Sequence, residues 1–356
     1  MKICAHCFED IELKSVVSSY EHIDECDICH QTAQVYNTET DSYLVDIIDD
    51  FMNMYRKADE SIASKYRLNL EEELIQKWNI FSDECANKVK GIISAIYSHS
   101  KEGFDVSLFD APVYIPEMTN IEHVDTYSIL KNKQWDEFAD YIKHVNRYHS
   151  DILDEINLDR FIEPLILKFE AGTVFYRSRI SDKKGFQAKY MKMPPAEKAS
   201  AGRIGAAGIP CFYLANDVNT SIQEVRAGAF DYVTVAKYKI LKPIKVIDLR
   251  CIDHISPFSI QDPVALAINR ETLLKIKSEI EKPVRISDQD IEYVPIQFIC
   301  DYIRKKGYDG IVYRSTMNKH GYNLSAFSDN NFKFVSKSVY YVNNISISPK
   351  KISTKG

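Results

Sequence analysis

The segments "FYRSRI" (residues 175–180) and "GRIGAAGIPCFYLANDVNTSIQEVR" (202–226) decide how the C-terminal half of this chain folds. The first alternates as a β-strand does, so Phe175, Arg177 and Arg179 share one face. The second contains "PCFYLA", which predicts a short buried strand. Two arginines on one face are expensive to bury without partners. Either the strand is an exposed edge or the arginines bind an anion, and the residues alone leave both interpretations open.

The rest of the C-terminal half predicts a mixture of strands and helices. Periodicity indicates strands at 231–240, 245–249, 308–315, 323–328 and 332–343, and helices at 262–280 and 294–307. This pattern predicts an α+β domain over 165–345, with a boundary near 155–170. The final segment "SPKKISTKG" (348–356) is predicted to be a frayed tail.

Residues 41–100 have a helical pattern, whereas residues 101–130 are loop-like and carry Pro112 and Pro116. Apolar residues at steps of three and four form two stripes, and each stripe predicts one amphipathic helix. The first stripe is Leu44, Ile47, Ile48, Phe51 and Tyr55, and the second is Leu74, Trp78, Phe81, Cys85, Val89, Ile92 and Ile96. Asn69 is predicted to cap the second helix, and a further helix is predicted over 134–149. We therefore expect a helical domain over 41–160.

Four cysteines near the N-terminus have the spacing of a zinc site. They are arranged as Cys4-x2-Cys7-x18-Cys26-x2-Cys29. Each CxxC turn directs two sulfurs at one centre, and four thiolates suit a closed, tetrahedral, structural zinc. A pair of redox CxxC motifs is the alternative, but no βαβ pattern surrounds them. His6, His22 and His30 are close enough to replace a cysteine. We predict a zinc-ribbon-like segment over 1–40.

Composition restricts the class of protein. With 356 residues, of which 45% are hydrophobic, the chain exceeds a usual single domain and can bury a sizeable core. A net charge of −6 argues against a general nucleic-acid binder. No apolar run reaches the length of about 18 residues that indicates a membrane span, and the N-terminus lacks a signal-peptide pattern. Since the other four cysteines are scattered singly, we expect reduced thiols and a cytoplasmic location.

Two features near the arginines allow both a structural and a functional interpretation. Three glycines fall within 202–208, but they match neither a P-loop nor a Rossmann fingerprint. They predict either a flexible loop or a close backbone approach to a ligand, with Arg203 directed into the site. The tetrapeptide "SIQE" is a capping-box pattern, with Ser221 as N-cap and Glu224 reaching back to it. The local pattern alone therefore makes Glu224 a helix cap.

Taken in order, the segments "FYR", "GRIGAAGIPCFYLANDVNTSIQEV", "YDGIVYRS" and "NLSAF" resemble the RES domain family. The family takes its name from an arginine, a glutamate and a serine. The resemblance covers residues 165–335, about half of the chain. Two departures are visible. Ile204-Gly205 stands where the family often has an aromatic residue and asparagine, and residues 250–290 form a long insertion.

The resemblance implies an ADP-ribosyltransferase-like split β-sheet with a cleft for NAD. It implies a toxin or defence effector that cleaves the nicotinamide–ribose bond of NAD, as a glycohydrolase or phosphorylase, with an antitoxin or regulatory protein as partner. The catalytic residues that it implies are Arg177, Glu224 and Ser315, and the NAD-binding residues are Arg177, Arg203, Tyr213, Glu224 and Ser315. In these roles the two arginines hold the pyrophosphate region, and the tyrosine packs on the nicotinamide or ribose. Ser325 is the nearest rival of Ser315.

Two other functions fit the same residues. A mono-ADP-ribosyltransferase would use the same cleft with a protein acceptor, because water, phosphate and a protein nucleophile can all attack the same ribose cation. A zinc-ribbon adaptor would bind a nucleotide through its C-terminal domain without turnover. Release of nicotinamide from NAD separates the two enzymes from the adaptor.

The N-terminal part resembles the HEPN-type domain that is found ahead of RES domains. The resemblance rests on "CAHCF", the second CxxC and the helices that follow. HEPN ribonucleases carry an Arg-x4–6-His motif, and Arg147 and His149 are too close in sequence to form it. We therefore predict no RNA cleavage by this half.

Overall fold

The computed structural model describes residues 1–100, 103–284 and 289–346, and the predicted tail at 348–356 lies outside them. The chain divides into two compact units. Unit 1 comprises Met1–Gln134, Asp151–Pro164 and Asp253–Leu273. Unit 2 comprises Trp135–Ser150, Leu165–Ile252 and Leu274–Gly356. Both units combine helices with sheets, as an α+β chain should.

The helices of the described residues are numbered in chain order. They are α1 (Ile11–Ser18), α2 (Tyr43–Met52), α3 (Leu70–Glu72), α4 (Val89–Tyr97), α5 (Pro116–Thr119), α6 (Ile121–Tyr127), α7 (Trp135–His144), α8 (Glu155–Ile162), α9 (Val218–Glu224), α10 (Pro263–Glu281), α11 (Gln289–Glu292) and α12 (Val294–Lys305). Among these residues, no helix combines the length and the apolarity that crossing a bilayer requires.

The strands of the described residues form three sheets. They are β1 (Lys2–Cys4), β2 (Ile23–Glu25), β3 (Thr32–Asn37), β4 (Arg56–Lys57), β5 (Val113–Tyr114), β6 (Ile166–Phe169), β7 (Val174–Ser181), β8 (Phe212–Ala215), β9 (Tyr232–Ile240), β10 (Ile244–Asp248), β11 (Gly310–Arg314), β12 (Tyr322–Ala326) and β13 (Phe332–Tyr341). The five strands of unit 1 make a sheet of order β1-β3-β2 and the pair β4-β5.

The second apolar stripe of unit 1 does not form the single helix that its periodicity predicts. Asn69 caps α3 as expected, since its side chain accepts from the Glu72 N–H at 3.1 Å. The chain then makes a π-helical turn at Glu73–Lys77, and α4 begins only at Val89. Asn79 and Asn87 adopt left-handed backbone conformations with φ of 52° and 64°. A helix cannot continue through such residues, so the stripe is buried by several short elements instead.

The helix predicted over 134–149 ends five residues early, because α7 stops at His144. The Asn146 side chain accepts from the N–H groups of Tyr148 and His149 at 3.1 and 3.0 Å. This local turn offers the backbone an alternative to the next helical hydrogen bonds.

Residues 253–273, which fall in the insertion seen in the sequence, belong to unit 1. Asn269 is fully buried there and accepts from the Ile129 N–H at 2.7 Å. Its amide also donates to the Tyr127 carbonyl at 2.8 Å. The insertion therefore supplies polar contacts inside unit 1.

Unit 2 contains a mixed sheet of eight described strands, in the order β13-β9-β7-β8-β12-β11-β10-β6. Neighbouring strands are antiparallel except β10 and β11, which are parallel. The strands from 174 to 341 and the helices α10 and α12 confirm the pattern read from the sequence. One face of the sheet carries a hydrophobic core that includes Phe175, Phe212, Leu214, Tyr238, Val312 and Leu324.

The middle of this sheet is weakly paired. Among the described residues, β7 and β8 are matched only at Tyr176 and Ala215. By contrast, β7 follows β9 over its whole length, from Val174 to Ser181. Strands that meet at one residue and then diverge leave a crevice between them, and the candidate site lies there.

Candidate active site

A cavity of about 450 Å³ lies at the divergence of β7 and β8, which is within the usual range for small-ligand pockets. The side chains come from these two strands, from α9, and from β11 and β12. The lining residues are Tyr176, Arg177, Ser178, Arg179, Ile180, Tyr213, Leu214, Ala215, Ser221, Glu224, Val225, Tyr313 and Asn323. Three of the five residues predicted to bind NAD therefore line one cavity.

Arg177 brings an incompletely paired cation to this cavity. Its Nη1 donates to the Tyr213 carbonyl at 3.2 Å, and its guanidinium lies 5.6 Å from the centre of the Phe212 ring. Its Nε is buried and has no hydrogen-bond partner among the described residues. Burial lowers the pKa of this guanidinium, because water no longer solvates its charge. An anionic ligand would supply both the missing acceptor and the opposite charge.

Glu224 is the last residue of α9, and its carboxylate is held from one side. Its Oε1 accepts from Ser315 Oγ at 2.5 Å and from Asn323 Nδ2 at 2.8 Å. Its Oε2 has no hydrogen-bond donor among the described residues. The carboxylate is therefore held through Oε1, and Glu224 is among the residues that line the cavity.

The capping-box hypothesis for Glu224 is wrong. The N-cap of α9 is Asp217, whose carboxylate accepts from the Thr220 N–H at 2.9 Å. Ser221 lies inside the helix, and its hydroxyl is paired with that of Ser178 at 2.7 Å. Aspartate is as good an N-cap as serine, and Asp217 starts the helix four residues earlier than the pattern suggested. Glu224 therefore does not act as part of a capping box in α9.

Ser315 follows β11 and contacts Glu224 instead of lining the cavity. It is buried, donates to Glu224, and accepts from the N–H groups of Met317 and Asn318 at 3.1 and 3.0 Å. The sequence suggested that this serine would bond the substrate, whereas the structure makes it a support for the carboxylate. Its rival Ser325 is fully buried in β12 and is not among the lining residues.

Asn323 is the site residue that the sequence interpretation missed. It lies opposite Tyr313 on β11 and opposite Ala215 on β8. A signal was present, because "YDGIVYRS" and "NLSAF" are consecutive strands that can pair as an antiparallel hairpin. Their register, which the sequence does not give, decides that Asn323 rather than Ser325 meets Glu224.

Tyr213 explains one of the three glycines. Its hydroxyl accepts from the Ile204 N–H at 3.4 Å, and burial raises the pKa of this phenol. A Cβ atom on Gly202 would lie 2.5 Å from the Tyr213 hydroxyl. Glycine is therefore required so that the 202–208 segment can approach this tyrosine. At Gly202, the close backbone approach that the sequence suggested is therefore to a side chain of the protein.

Arg203 does not join Arg177 and Glu224, which differs from the prediction. Its Nη1 donates to carbonyls at the C-terminal end of α10, including those of Ile280 and Lys282, the latter at 2.8 Å. Its guanidinium also lies 5.1 Å from the centre of the Tyr293 ring. The last carbonyls of a helix lack partners within the helix and attract cations. This need is satisfied by Arg203, which is not among the residues that line the cavity.

Arg179 shares the cavity lining with Arg177 but is more exposed. Its Nη1 donates to the Tyr190 carbonyl at 2.8 Å, and its guanidinium lies 4.3 Å from the centre of the Phe186 ring. Both arginines thus sit on the face expected from strand alternation. Of these two arginines, Arg177 is the one with a buried nitrogen that has no hydrogen-bond partner among the described residues.

The four N-terminal cysteines of unit 1 converge as their spacing predicts. Their sulfurs all lie within 4.8 Å of one another, with 3.4 Å between those of Cys4 and Cys29 and 3.5 Å between those of Cys7 and Cys26. Tetrahedral zinc with Zn–S bonds of about 2.3 Å needs sulfurs about 3.8 Å apart. The donor set therefore fits a structural zinc ion.

Local contacts around Cys26 favour a thiolate. Burial raises the pKa of its thiol, but N–H groups of Cys29, Ile28 and Cys4 outweigh burial and lower this pKa to about 7. Two of the candidate replacement ligands have other partners, since His22 lies 3.4 Å from Asp24 and His30 lies 3.3 Å from Glu25.

The segment that contains the cavity matches a known protein family. Residues 175–347 match the family model described as the RES domain. No curated protein matches the chain. Among solved structures, the chain is similar to one chain of the crystal structure of the M. tuberculosis MbcT–MbcA toxin–antitoxin complex. That similarity has a TM-score of 0.34 and 12% identity, and it covers 51% of this chain and 91% of the other. The family match includes every lining residue of the cavity.

Proposed function

We propose that this chain is an NAD-consuming enzyme that cleaves the bond between nicotinamide and ribose, and that it acts as a toxin or defence effector. One observation carries the proposal. Within the segment that matches the RES domain, the Glu224 carboxylate and the incompletely paired Arg177 guanidinium line the same cavity. Both groups match NAD. Its central pyrophosphate would pair with the arginine, and the positive charge that develops on its ribose when nicotinamide leaves would be stabilised by the carboxylate.

The chemistry asks little of the protein beyond placement and charge. Nicotinamide departs as a neutral molecule, so no strong general acid is needed. The transition state resembles an oxocarbenium ion, and an oriented carboxylate stabilises it as in glycoside hydrolysis. Glu224 would present Oε2 to the ribose, where its fixed negative charge would stabilise the developing positive charge.

Arg177 would hold the pyrophosphate. Its guanidinium fork matches phosphate oxygens, and its free Nε provides a donor for one of them. The Tyr213 ring would pack on the nicotinamide or the ribose. Fixing the pyrophosphate and the nicotinamide riboside in place would contribute to catalysis through orientation as well as through charge.

The test is release of nicotinamide from NAD by the purified chain. We expect release by the wild-type chain and its loss in Glu224→Gln. The second product then identifies the acceptor: ADP-ribose indicates a glycohydrolase, and a phosphorylated ADP-ribose that forms only with added phosphate indicates a phosphorylase. Labelled NAD with a cell lysate reports transfer to protein. NAD binding without any release would assign the chain to the nucleotide-binding adaptors and overturn the proposal.

Several further features belong to this proposal as predictions. They are a structural zinc on the four cysteines, a HEPN-type domain at 41–160, and domain bounds at 1–40, 41–160 and 165–345. They also include an ADP-ribosyltransferase-like split of the sheet, an antitoxin or regulatory partner, and a cytoplasmic location. The single matched pair between β7 and β8 supports the split, because it separates the sheet into two groups of strands.

A further inference from the structure

Asn323 lines the cavity and lies on β12, between the neighbouring strands β8 and β11. It is 5% exposed, and its neighbours across the sheet are Tyr313 on one side and Ala215 on the other. Both neighbours also line the cavity. A buried amide at the centre of a sheet needs hydrogen-bond partners, and the partner of its Nδ2 is Oε1 of Glu224, at 2.8 Å.

Two donors from different directions converge on this one oxygen. Ser315, which follows β11, is not among the lining residues, whereas Asn323 is one of them. A carboxylate on a glutamate side chain otherwise rotates freely about its last bond, whose torsional wells are broad. With both donors on Oε1, the plane of the carboxylate is fixed and Oε2 is left without a protein donor among the described residues.

We propose that Asn323 is a positioning residue for Glu224: together with Ser315 it holds Oε1 so that Oε2 faces the ligand. The proposal rests on the proposed function, since it assigns the orientation of the carboxylate that would stabilise the ribose cation. It goes beyond that function by adding a residue outside the arginine, glutamate and serine set. The alternative is that Asn323 only fills space in the sheet.

Two substitutions separate positioning from space filling. Asn323→Leu keeps the approximate size and shape of the side chain but removes the donor to Glu224. Asn323→Ala removes the donor and leaves Ser315 in place. If Asn323 only fills space, the nearly isosteric leucine should retain the activity that alanine loses. If it positions Glu224, both variants should lose turnover to a similar extent.

The experiment measures kcat and KM for nicotinamide release from NAD by both variants. We expect Asn323→Ala to lower kcat about 10-fold, the effect of losing one hydrogen bond to a charged group, with KM changed by less than about 3-fold. We expect Asn323→Leu to lower kcat by about the same factor, because both variants lack the donor to Glu224. Asn216→Ala is the matched control, since its side chain accepts from the Tyr322 N–H at 2.9 Å and is not among the residues that line the cavity. An Asn323→Leu chain with the kcat of the wild type would overturn the proposal.

A second readout does not depend on turnover. A double-mutant cycle of Asn323→Ala and Glu224→Ala, measured as free energy of unfolding in denaturant, should be non-additive because the two side chains share a hydrogen bond. Additive effects would mean that the contact does not exist in solution and would overturn the proposal. A wild-type chain that binds NAD without releasing nicotinamide would defeat the proposed function, while the cycle would still decide whether Asn323 holds Glu224.

Discussion

The cysteine cluster of unit 1 and the cavity of unit 2 are assembled in opposite ways. The paired sulfurs of Cys4 and Cys29 are 25 residues apart in the chain, and each pair within a CxxC turn is held by local geometry. The donors to Glu224 come from 91 and 99 residues away, on strands whose register must first be set. A local site can thus be predicted from spacing, whereas a site built across a sheet depends on the whole fold.

Removal of metal from the cysteine cluster should have the largest effect. Zinc binding by such sites is folding free energy of about 10–16 kcal/mol in small peptides. We expect Cys26→Ser or a chelator to lower the melting temperature of unit 1 by about 10 °C or more, since 1 kcal/mol corresponds to about 2–4 °C at this size. Elemental analysis should find about one zinc per chain.

The control for the cluster is Cys251→Ser, which changes an exposed thiol outside it. Its melting temperature should stay within about 1–2 °C of the wild type, as for most surface substitutions. A metal-free protein with unchanged melting would show that the four sulfurs converge without a metal. The cysteine cluster would then no longer be an example of a metal site that can be predicted from local spacing.

Glu224→Gln should have the next largest effect, on turnover instead of stability. The amide can still accept from Ser315 and Asn323, so the melting temperature should hardly move. Loss of the charge should lower nicotinamide release by about 10²-fold or more, the scale for one electrostatic group in a dry site. Glu170→Gln, an exposed glutamate paired with Lys168, is the matched control and should remain active. An active Glu224→Gln chain would contradict the proposed role.

Arg177 and Arg203 should respond in opposite ways. Arg177→Ala removes a donor that faces the cavity, and we expect NAD to bind about 10–100-fold more weakly, as for loss of hydrogen bonds worth about 1.5–3 kcal/mol. Arg203→Ala removes contacts to the end of α10 and should lower stability while leaving the Kd for NAD within about 2-fold. Calorimetric titration and thermal melting of both variants check this pair. Weaker NAD binding by Arg203→Ala would return Arg203 to the site.

The smallest expected effect concerns the cap of α9. Asp217→Ala should lower stability by about 1 kcal/mol, because Asp217 caps the helix that carries Glu224. Gln223→Ala, an exposed change in the same helix, should be nearly neutral. Denaturant unfolding of the two variants measures the difference. Equal stability of both variants would argue that another residue begins the helix.

Much of the fold could be predicted because many of its elements have a recognisable local sequence pattern. The strands of unit 2 alternate or are continuously apolar, and Asn69 caps α3 as its position suggested. The prediction of a single helix for the second apolar stripe was wrong because periodicity indicates which residues are buried and does not determine the backbone conformation. Left-handed Asn79 and Asn87 break the helix without disturbing the apolar pattern.

The sequence by itself determined the cysteine cluster, the order of the strands and long helices between residues 174 and 341, and the placement of Arg177 on one strand face, since each depends on residues near one another in the chain. Only the tertiary structure decided which arginine faces the cavity. Both are compatible with an anion, but α10 has unpaired carbonyls that Arg203 satisfies. It also decided that Glu224 is held by Ser315 and Asn323 and does not cap its own helix. Hydrogen-bond partners are chosen by what the fold brings within 3 Å or so, and at this site the strand register makes that choice.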